Sequence, residues 1–306
     1  GQRPETTVTG VTSAPSDPKL MVVGAAGFIG SHLVDRLLAD GYRVEAVDDL
    51  TRGSLGNLGS ARAAGGEFKF HHVAAGSPDF ATLVGLRRPD VIFHLAAVPR
   101  GRPSAAELAA ALAVTVGVLD AARTHRVDKV VVALPASAIY GRPANRDLPA
   151  KEADAVPRGV RGVIARAIVD LLTLHREQDA IEFTALALGN VYGARQRADG
   201  GVVAAFADAA RRGEAPTIAG DGRQTRDFVF VDDAVDALVR AGSRGSGLVI
   251  NVGTGEQTAV RELWNLVRRP DSPDPVAGPA DDLPRFAVSP VRARIHLGWS
   301  PWTPLA

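Results

Sequence analysis

Cysteine is absent from the 306 residues, which excludes disulfides and thiolate metal sites and fits a reducing compartment. Aromatic residues make up only 5% and the formal net charge is +1. The chain therefore has neither a set of stacking rings nor a basic excess to neutralise phosphates, and no nucleic acid is expected as a partner. Lysine is scarce, confined to Lys19, Lys69, Lys129 and Lys151. No uninterrupted apolar run approaches the roughly 20 residues that a membrane helix needs. The opening stretch GQRPETTVTGVTSAPSDP lacks the apolar middle of a secretory signal, so no membrane partner and a cytoplasmic setting are expected. His71, His72, His94 and His175 show no metal-ligand spacing with acidic partners, and no metal is expected.

What is there is a hydrophobic fraction of 46%, ample for a buried core. Residues 1–18 are polar and carry Pro4, Pro15 and Pro18, which reads as an N-terminal arm. From Lys19 onward, short apolar runs (LMVVGA, RVEAVD, FKFHHV, DVIFHLAA, DKVVVAL, IEFTALALG) alternate with helical patterns such as SHLVDRLLAD and AELAAALAVTVGVLDAARTH. That alternation predicts an α/β chain: a doubly wound parallel sheet with helices on both faces, over residues 19–189. After about residue 190 the pattern turns irregular, with loops ARQRADGG, AGDGRQ and RRPDSPDPVAGPADDLP. Residues 190–306 therefore read mainly as a smaller domain over the ends of the sheet.

The first strand runs straight into GAAGFIGSHLVDRLL, which sets Gly24, Gly27 and Gly30 in a G-x-x-G-x-x-G spacing at the start of a helix. Glycines there permit a tight turn, a close backbone approach to a pyrophosphate, and close helix–strand packing, while the helix N-terminus favours negative charge. A second strand ends in Asp48 and Asp49, where a carboxylate can take ribose hydroxyls. Asp48 disfavours a 2′-phosphate, whereas Arg52 in DDLTRG can pair with one, so NAD(H) and NADP(H) both stay open.

GAAGFIGSHLVDRLLADGYRVEAVDDLTRG, VIFHLAA, SAIYG, LGNVYGARQ, TIAGDGRQTRDFVFVDDAVDAL, NVGTGEQTAVREL and the final HLGWSP resemble, in order and spacing, the extended short-chain dehydrogenases, the nucleotide-sugar epimerases and dehydratases. The resemblance covers roughly residues 19–304. It implies a Rossmann domain that binds NAD(P) and a C-terminal substrate-binding domain, with a segment of about 226–255 returning to the Rossmann domain. It further implies a pyrophosphate at Gly24, Gly27, Phe28, Ile29 and Gly30, the adenosine ribose near Asp48, and backbone contacts at Leu95 and Ala96. Asn190 and Val191 would lie near the nicotinamide, with Tyr192 and Arg226 toward the substrate. Where such proteins carry an acidic residue near the adenine, this chain has Gly76, followed by Ser77.

Proteins of this kind use a Tyr-x-x-x-Lys pair on the helix after the fifth strand, a Ser or Thr at that strand's end, and an Asn on the preceding helix. Tyrosine transfers the proton, lysine lowers its pKa, and the hydroxyl polarises the carbonyl. Counted from SAIYG, these positions hold Arg161, Ala165, Ala136 and about Ala111. The three tyrosines Tyr42, Tyr140 and Tyr192 are followed four residues on by Ala46, Ala144 and Gln196, so no Tyr-x-x-x-Lys exists anywhere in the chain. Its helix keeps Val160, Val163, Ile164, Ala167, Ile168, Leu171 and Leu172 at core spacing, with Arg161 and Ala165 on its flank.

A general acid is worth typically about 10²- to 10⁴-fold, and positioning supplies a comparable share, so hydride transfer to a ketone survives this loss better than sugar epimerisation, which needs a base. The pattern of losses resembles the atypical extended members that act as ketoreductases in aromatic-polyketide (angucyclinone) antibiotic assembly. The function expected on that basis is NAD(P)H-dependent reduction of an aromatic polyketide ketone, a small-molecule substrate that supplies its own proton. Two alternatives stand beside it: a nucleotide-sugar epimerase or dehydratase, and a catalytically inactive coenzyme-binding homologue. Ser137 and Arg161 are the nearest replacements for the missing groups. Ser137, one place along the strand end, is expected to face the opposite side of the sheet. The sequence sets no oligomeric state.

Overall fold

The computed structural model describes residues 18–305 except 66, 97, 99–102 and 280–282. The N-terminal arm read from residues 1–18 thus lies, Pro18 apart, outside the described residues.

Strand and helix alternate as the hydrophobic pattern requires. The chain runs through β1 (Lys19–Val23), α1 (Phe28–Ala39), β2 (Arg43–Asp48), α2 (Gly59–Ala64), β3 (Phe68–His72) and α3 (Pro78–Arg87). It continues through β4 (Val91–His94), α4 (Ala105–His125), β5 (Lys129–Pro135), α5 (Ala136–Tyr140), α6 (Gly159–Asp179) and β6 (Glu182–Leu188). These six strands are the six apolar runs of the sequence. A seventh, β11 (Leu248–Val252), comes from far downstream, and the parallel order is β3-β2-β1-β4-β5-β6-β11. The order reverses between β1 and β4, which opens a crevice at their carboxyl ends.

Residues of opposite parity along each strand feed two cores. Met21, Val23, Ile92, Val130 and Val132 pack with α3, α4 and α6, whereas Leu20, Val22, Phe93, Val131 and Ile250 pack with α1 and the later helices. Helix α1 buries Gly30, Leu33, Val34 and Leu37, a spacing of three and four. Helix α4 starts on a capping box in which Ser104 and Glu107 satisfy each other's backbone N–H groups. At 21 residues α4 is long and apolar enough to cross a membrane, although the sequence pattern gave no such run. Here its buried residues Leu108, Ala111, Val118 and Leu119 lie in the core.

Past the sixth strand come β7 (Asn190–Tyr192), α7 (Val202–Arg212), β8 (Thr217–Ala219), β9 (Thr225–Arg226) and β10 (Phe228–Phe230). The chain then returns through α8 (Val231–Ala241) and β11 (Leu248–Val252) before β12 (Thr258–Ala259), α9 (Val260–Val267), β13 (Val276–Gly278) and α10 (Val291–Leu297). Strand β10 pairs with β7, and α8 packs against α1, so this segment belongs to the main sheet's layers. Phe206, Ala210, Ile218, Phe228, Val260, Leu263 and Trp264 form a third, separate core. Between that core and the carboxyl ends of the main strands lies the cavity described next.

Candidate active site

Backbone geometry dictates the glycines at the β1–α1 corner. Gly24 has φ +82°, and a Cβ on Gly30 would stand 2.1 Å from the Gly24 carbonyl oxygen. Only glycine fits there. The N–H groups of Gly24 and Ala25 donate to Val47 O, and that of Gly27 to Gly24 O. These bonds fix the turn, and the first turn of α1 contains no acidic residue, which suits an anion at its N-terminus. Leu95 and Ala96 run beside Gly24, within 3.6 Å of where its Cβ would be. The corner fits a dinucleotide pyrophosphate.

Asp48 ties that corner to the second strand. Its Oδ2 accepts from Ala26 N at 2.9 Å and its Oδ1 from Leu50 N at 2.8 Å. Burial pushes its carboxyl above the ordinary value, and the two N–H donors oppose that shift. Each oxygen retains a second lone pair for a ribose hydroxyl. Gly53 closes over the carboxylate so tightly that a Cβ would lie 2.7 Å from Oδ1. Arg52, exposed in the same loop, lies outside this tight cluster. Gly76 has a reason of its own: a Cβ there would meet Val114 O at 2.7 Å, so glycine is what lets the loop before α3 press on α4. Ser77 Oγ is taken by the Phe80 N–H as the cap of α3.

His94, the last residue of β4, is fully buried, and burial pulls it down to about 4, so the ring is neutral. Thr115 Oγ1 donates to Ala111 O, so it accepts from His94 Nε2, which assigns the proton to Nε2. Among the described residues no group of three or more metal-ligating side chains comes together.

A cavity of about 580 Å³ extends from the crevice to the third core. Ile29, Leu95 and Asn190 border its coenzyme side, while Phe206, Ile218, Phe228 and Val260 line the far wall. Its polar rim holds Ser137, Arg161, Gln196, Asp199, Gln224 and Arg226. The sequence patterns thus bring Ile29, Leu95, Ser137, Arg161, Asn190, Val191 and Arg226 to one space.

Three expectations need correction. Ser137 faces the cavity rather than the opposite side of the sheet, because β5 ends at Pro135 and the alternation of strand faces stops where α5 begins. Tyr192 is not among the cavity's lining residues; its ring packs on Phe230 with centroids 5.5 Å apart. Helix α6 keeps only part of the expected face: Ile164, Ile168 and Leu172 are buried, together with Ala165, while Val160 and Val163 are exposed. Gly162 sets this orientation, since a Cβ would stand 2.9 Å from Pro157 C and 3.1 Å from Ala138 O. The helix can therefore approach α5, which aims Arg161 into the cavity beside Ser137.

Arg161 apart, the positions that would carry acid–base chemistry are sealed. Ala136 and Ala165 are completely buried, and Ala111 nearly so. Burial pulls the Arg161 guanidinium below its usual value, yet arginine stays charged and does not exchange protons at neutral pH. Arg226 Nη1 donates to Thr225 O and Leu283 O, so it braces the loops as well as lining the cavity. Its neighbour Asp227 accepts from Thr254 N, Thr254 Oγ1, Gly255 N and Val288 N, joining three segments at one carboxylate.

With this geometry in view, residues 20–253 match the model of the NAD dependent epimerase/dehydratase family. The chain belongs to that family. A UDP-glucose 4-epimerase from Mycolicibacterium smegmatis is 40% identical over 304 residues, covering 94% of this chain and 95% of that one. A UDP-glucose 4-epimerase from Thermotoga maritima, solved with UDP-glucose, superposes with a TM-score of 0.85 at 31% identity, each chain covered to 94%. The Thermus thermophilus UDP-glucose 4-epimerase in complex with NAD gives a TM-score of 0.83 at 28% identity, again with 94% of both chains covered. These relatives carry the names of nucleotide-sugar enzymes, and no polyketide reductase is among them.

Sequence reasoning missed Gln196, Asp199, Phe206, Ile218 and Val260 as cavity walls. The motif LGNVYGARQ contained Gln196, but only the loop's fold shows where it turns.

Proposed function

We propose that the chain is a nicotinamide-dependent oxidoreductase that reduces a ketone whose own structure supplies the proton. Support comes from the replacement of tyrosine and lysine by Arg161 and a buried Ala165, at a cavity whose lining, among the described residues, includes no tyrosine, lysine or histidine. Bound in the crevice, NAD(P)H supplies the hydride for the carbonyl carbon. The chain's own work is to hold the dinucleotide at the α1 N-terminus and to orient the ketone between Asn190 and the apolar far wall. Arg161 and Ser137 stabilise the oxygen as charge develops on it. The proton comes from a phenol adjacent to the carbonyl or from water, which suits a hydroxylated aromatic polyketide. The lobe built on the third core holds that substrate.

A second reading, nucleotide-sugar chemistry, is the one that the similar proteins favour over ketone reduction, through the 40% identical relative, and it is supported too by Arg226, a cation on the cavity wall suited to substrate phosphates. It requires a base to remove an alcohol proton, and the described lining residues include no histidine, tyrosine or lysine to serve as one. Incubating the purified protein with NADH or NADPH and a hydroxyaryl ketone should oxidise the coenzyme, with no interconversion of UDP-glucose and UDP-galactose. Epimerisation without ketone reduction would overturn the first reading in favour of the second. Arg161→Ala and Ser137→Ala should each lower ketone turnover by about 10²-fold, the loss expected when an oxyanion donor is removed, and should leave its pH dependence unchanged, since neither acts as a general acid.

A further inference from the structure

The segment that joins β7 to α7 crosses the crevice as a compact strap. Gln196 Nε2 donates to Val191 O at 3.1 Å and Gly200 O at 3.2 Å, so one side chain closes the loop on itself. Gly193 presses it against α8, where a Cβ would meet Val231 Cγ1 at 2.5 Å. Gln196, Ala198, Asp199, Gly200 and Gly201 form one wall of the cavity, with Ile29 of α1 also on its lining.

Two charged residues hold the strap to the coenzyme half. Arg195 adopts φ +62°, an uncommon conformation for a side-chain-bearing residue. Its Nη2 meets Asp35 Oδ2 at 2.7 Å. Asp35 lies on α1, about two turns below the glycine corner. Both side chains are only about a quarter exposed, at 26% and 27%, so solvent screens the pair incompletely. The contact is one-sided: Asp35 Oδ1 and Arg195 Nη1 are buried and have no hydrogen-bond partner. At the strap's other end, Asp199 bonds chiefly to Arg197 and also feels the charge of Arg52, which sits past β2 in the loop beside Asp48. The strap therefore reaches from the flank of α1 toward the ribose-side loop, bordering the cavity that Ile29 and Asn190 also line.

We propose that the Arg195–Asp35 ion pair latches this strap to the helix that receives the coenzyme pyrophosphate, and that the latch sets how long the coenzyme stays bound. Both are positioning residues, since neither needs to touch the coenzyme. A strained backbone at Arg195 is maintained by the bond its side chain makes. The inference rests on the reading of the crevice as a nicotinamide-dinucleotide site.

The test follows release of NADH, and in parallel NADPH, by stopped-flow fluorescence after mixing the loaded protein with excess oxidised coenzyme. Arg195→Gly removes the side chain while suiting the left-handed backbone, and Asp35→Asn removes the charge while keeping the shape. Each should raise the release rate by about tenfold or more, and the double variant should do no worse than either single one. Arg195→Lys should stay within about threefold of the native protein. Release rates unchanged within twofold in both Arg195→Gly and Asp35→Asn would overturn the latch. A general loosening of the fold, seen as lowered thermal stability with unchanged release, would also count against it. Failure of the native protein to bind either coenzyme would instead overturn the dinucleotide site itself.

Discussion

At the β1–α1 corner, glycines are fixed by contacts between backbone atoms; at the β5–α5–α6 corner, Gly162 is fixed the same way, yet the side chains around it have changed chemistry. Both corners lie at the carboxyl ends of parallel strands and both border the cavity. The first presents N–H groups and a helix terminus, which no ordinary substitution removes. The second would act through side chains, and Ala136, Ala165 and Arg161 can be put there without moving the backbone. A fold of this kind can therefore lose its acid–base machinery while its coenzyme crevice persists.

The sharpest test of that contrast is Gly30→Ala. The added methyl would overlap the Gly24 carbonyl, at 2.1 Å, and Ala25 Cα, at 2.9 Å, both backbone atoms unable to step aside. We expect destabilisation of more than about 4 kcal/mol, read by urea unfolding, or loss of soluble protein. A folded variant that still binds NADH normally would show that the corner tolerates side chains, and the contrast would fail.

The sequence made one corner more legible than the other for this same reason. Gly24 and Gly30 are recognisable because a left-handed backbone at the one and a backbone contact at the other demand glycine, and the six strands because burial on both faces demands continuous apolar runs. On α6, Ile164, Ile168 and Leu172 are buried as their spacing predicts, but Val160 and Val163 are exposed, because the orientation is set by Gly162 against Pro157 and Ala138, a contact between segments that periodicity does not encode. Ser137 was misplaced because a strand's alternation was extended past Pro135. The strap's wall of the cavity depends on long-range pairings such as Arg195 with Asp35, 160 positions apart in a chain with no repeated pattern to link them.

Ala165→Lys asks whether the second corner can take its lost cation back. Ala165 is fully buried between α6 and the core, so the new side chain must either desolvate its ammonium or force its way to the cavity. We expect a loss of about 3 kcal/mol in urea unfolding. A cost below about 0.5 kcal/mol would mean that the site still accommodates a lysine, and that its absence reflects only a change of residue rather than a repacked corner.

Strand β5 carries the comparison to its other end. Its carboxyl end leads into Ala136, while its amino end begins with Lys129, a buried cation that contributes nothing to the cavity. Lys129 Nζ donates to Arg244 O at 2.7 Å and Ser246 Oγ at 3.1 Å, which stitches β5 to the turn before β11. Burial pulls its pKa from 10.5 down to about 8, opposed by the charge of Glu182. Because the folded value is the lower one, both states hold the proton below about pH 8 and the desolvation cost is then fully present. Between about pH 8 and 10.5 the unfolded chain holds more protons, so stability from this group rises with pH. At 1.36 kcal/mol per unit the ceiling is about 3 kcal/mol, and structural relaxation reduces it to about 1–2 kcal/mol. Lys129→Met should therefore stabilise the protein by that amount at pH 7, because Thr184 Oγ1 continues to donate to Arg244 O. The advantage should shrink toward zero by about pH 10.5. A difference in unfolding free energy that stays constant with pH would show that Lys129 is as well solvated in the folded protein as in the unfolded chain, and that the amino end of β5, like its carboxyl end, tolerates exchange of its polar group at no cost.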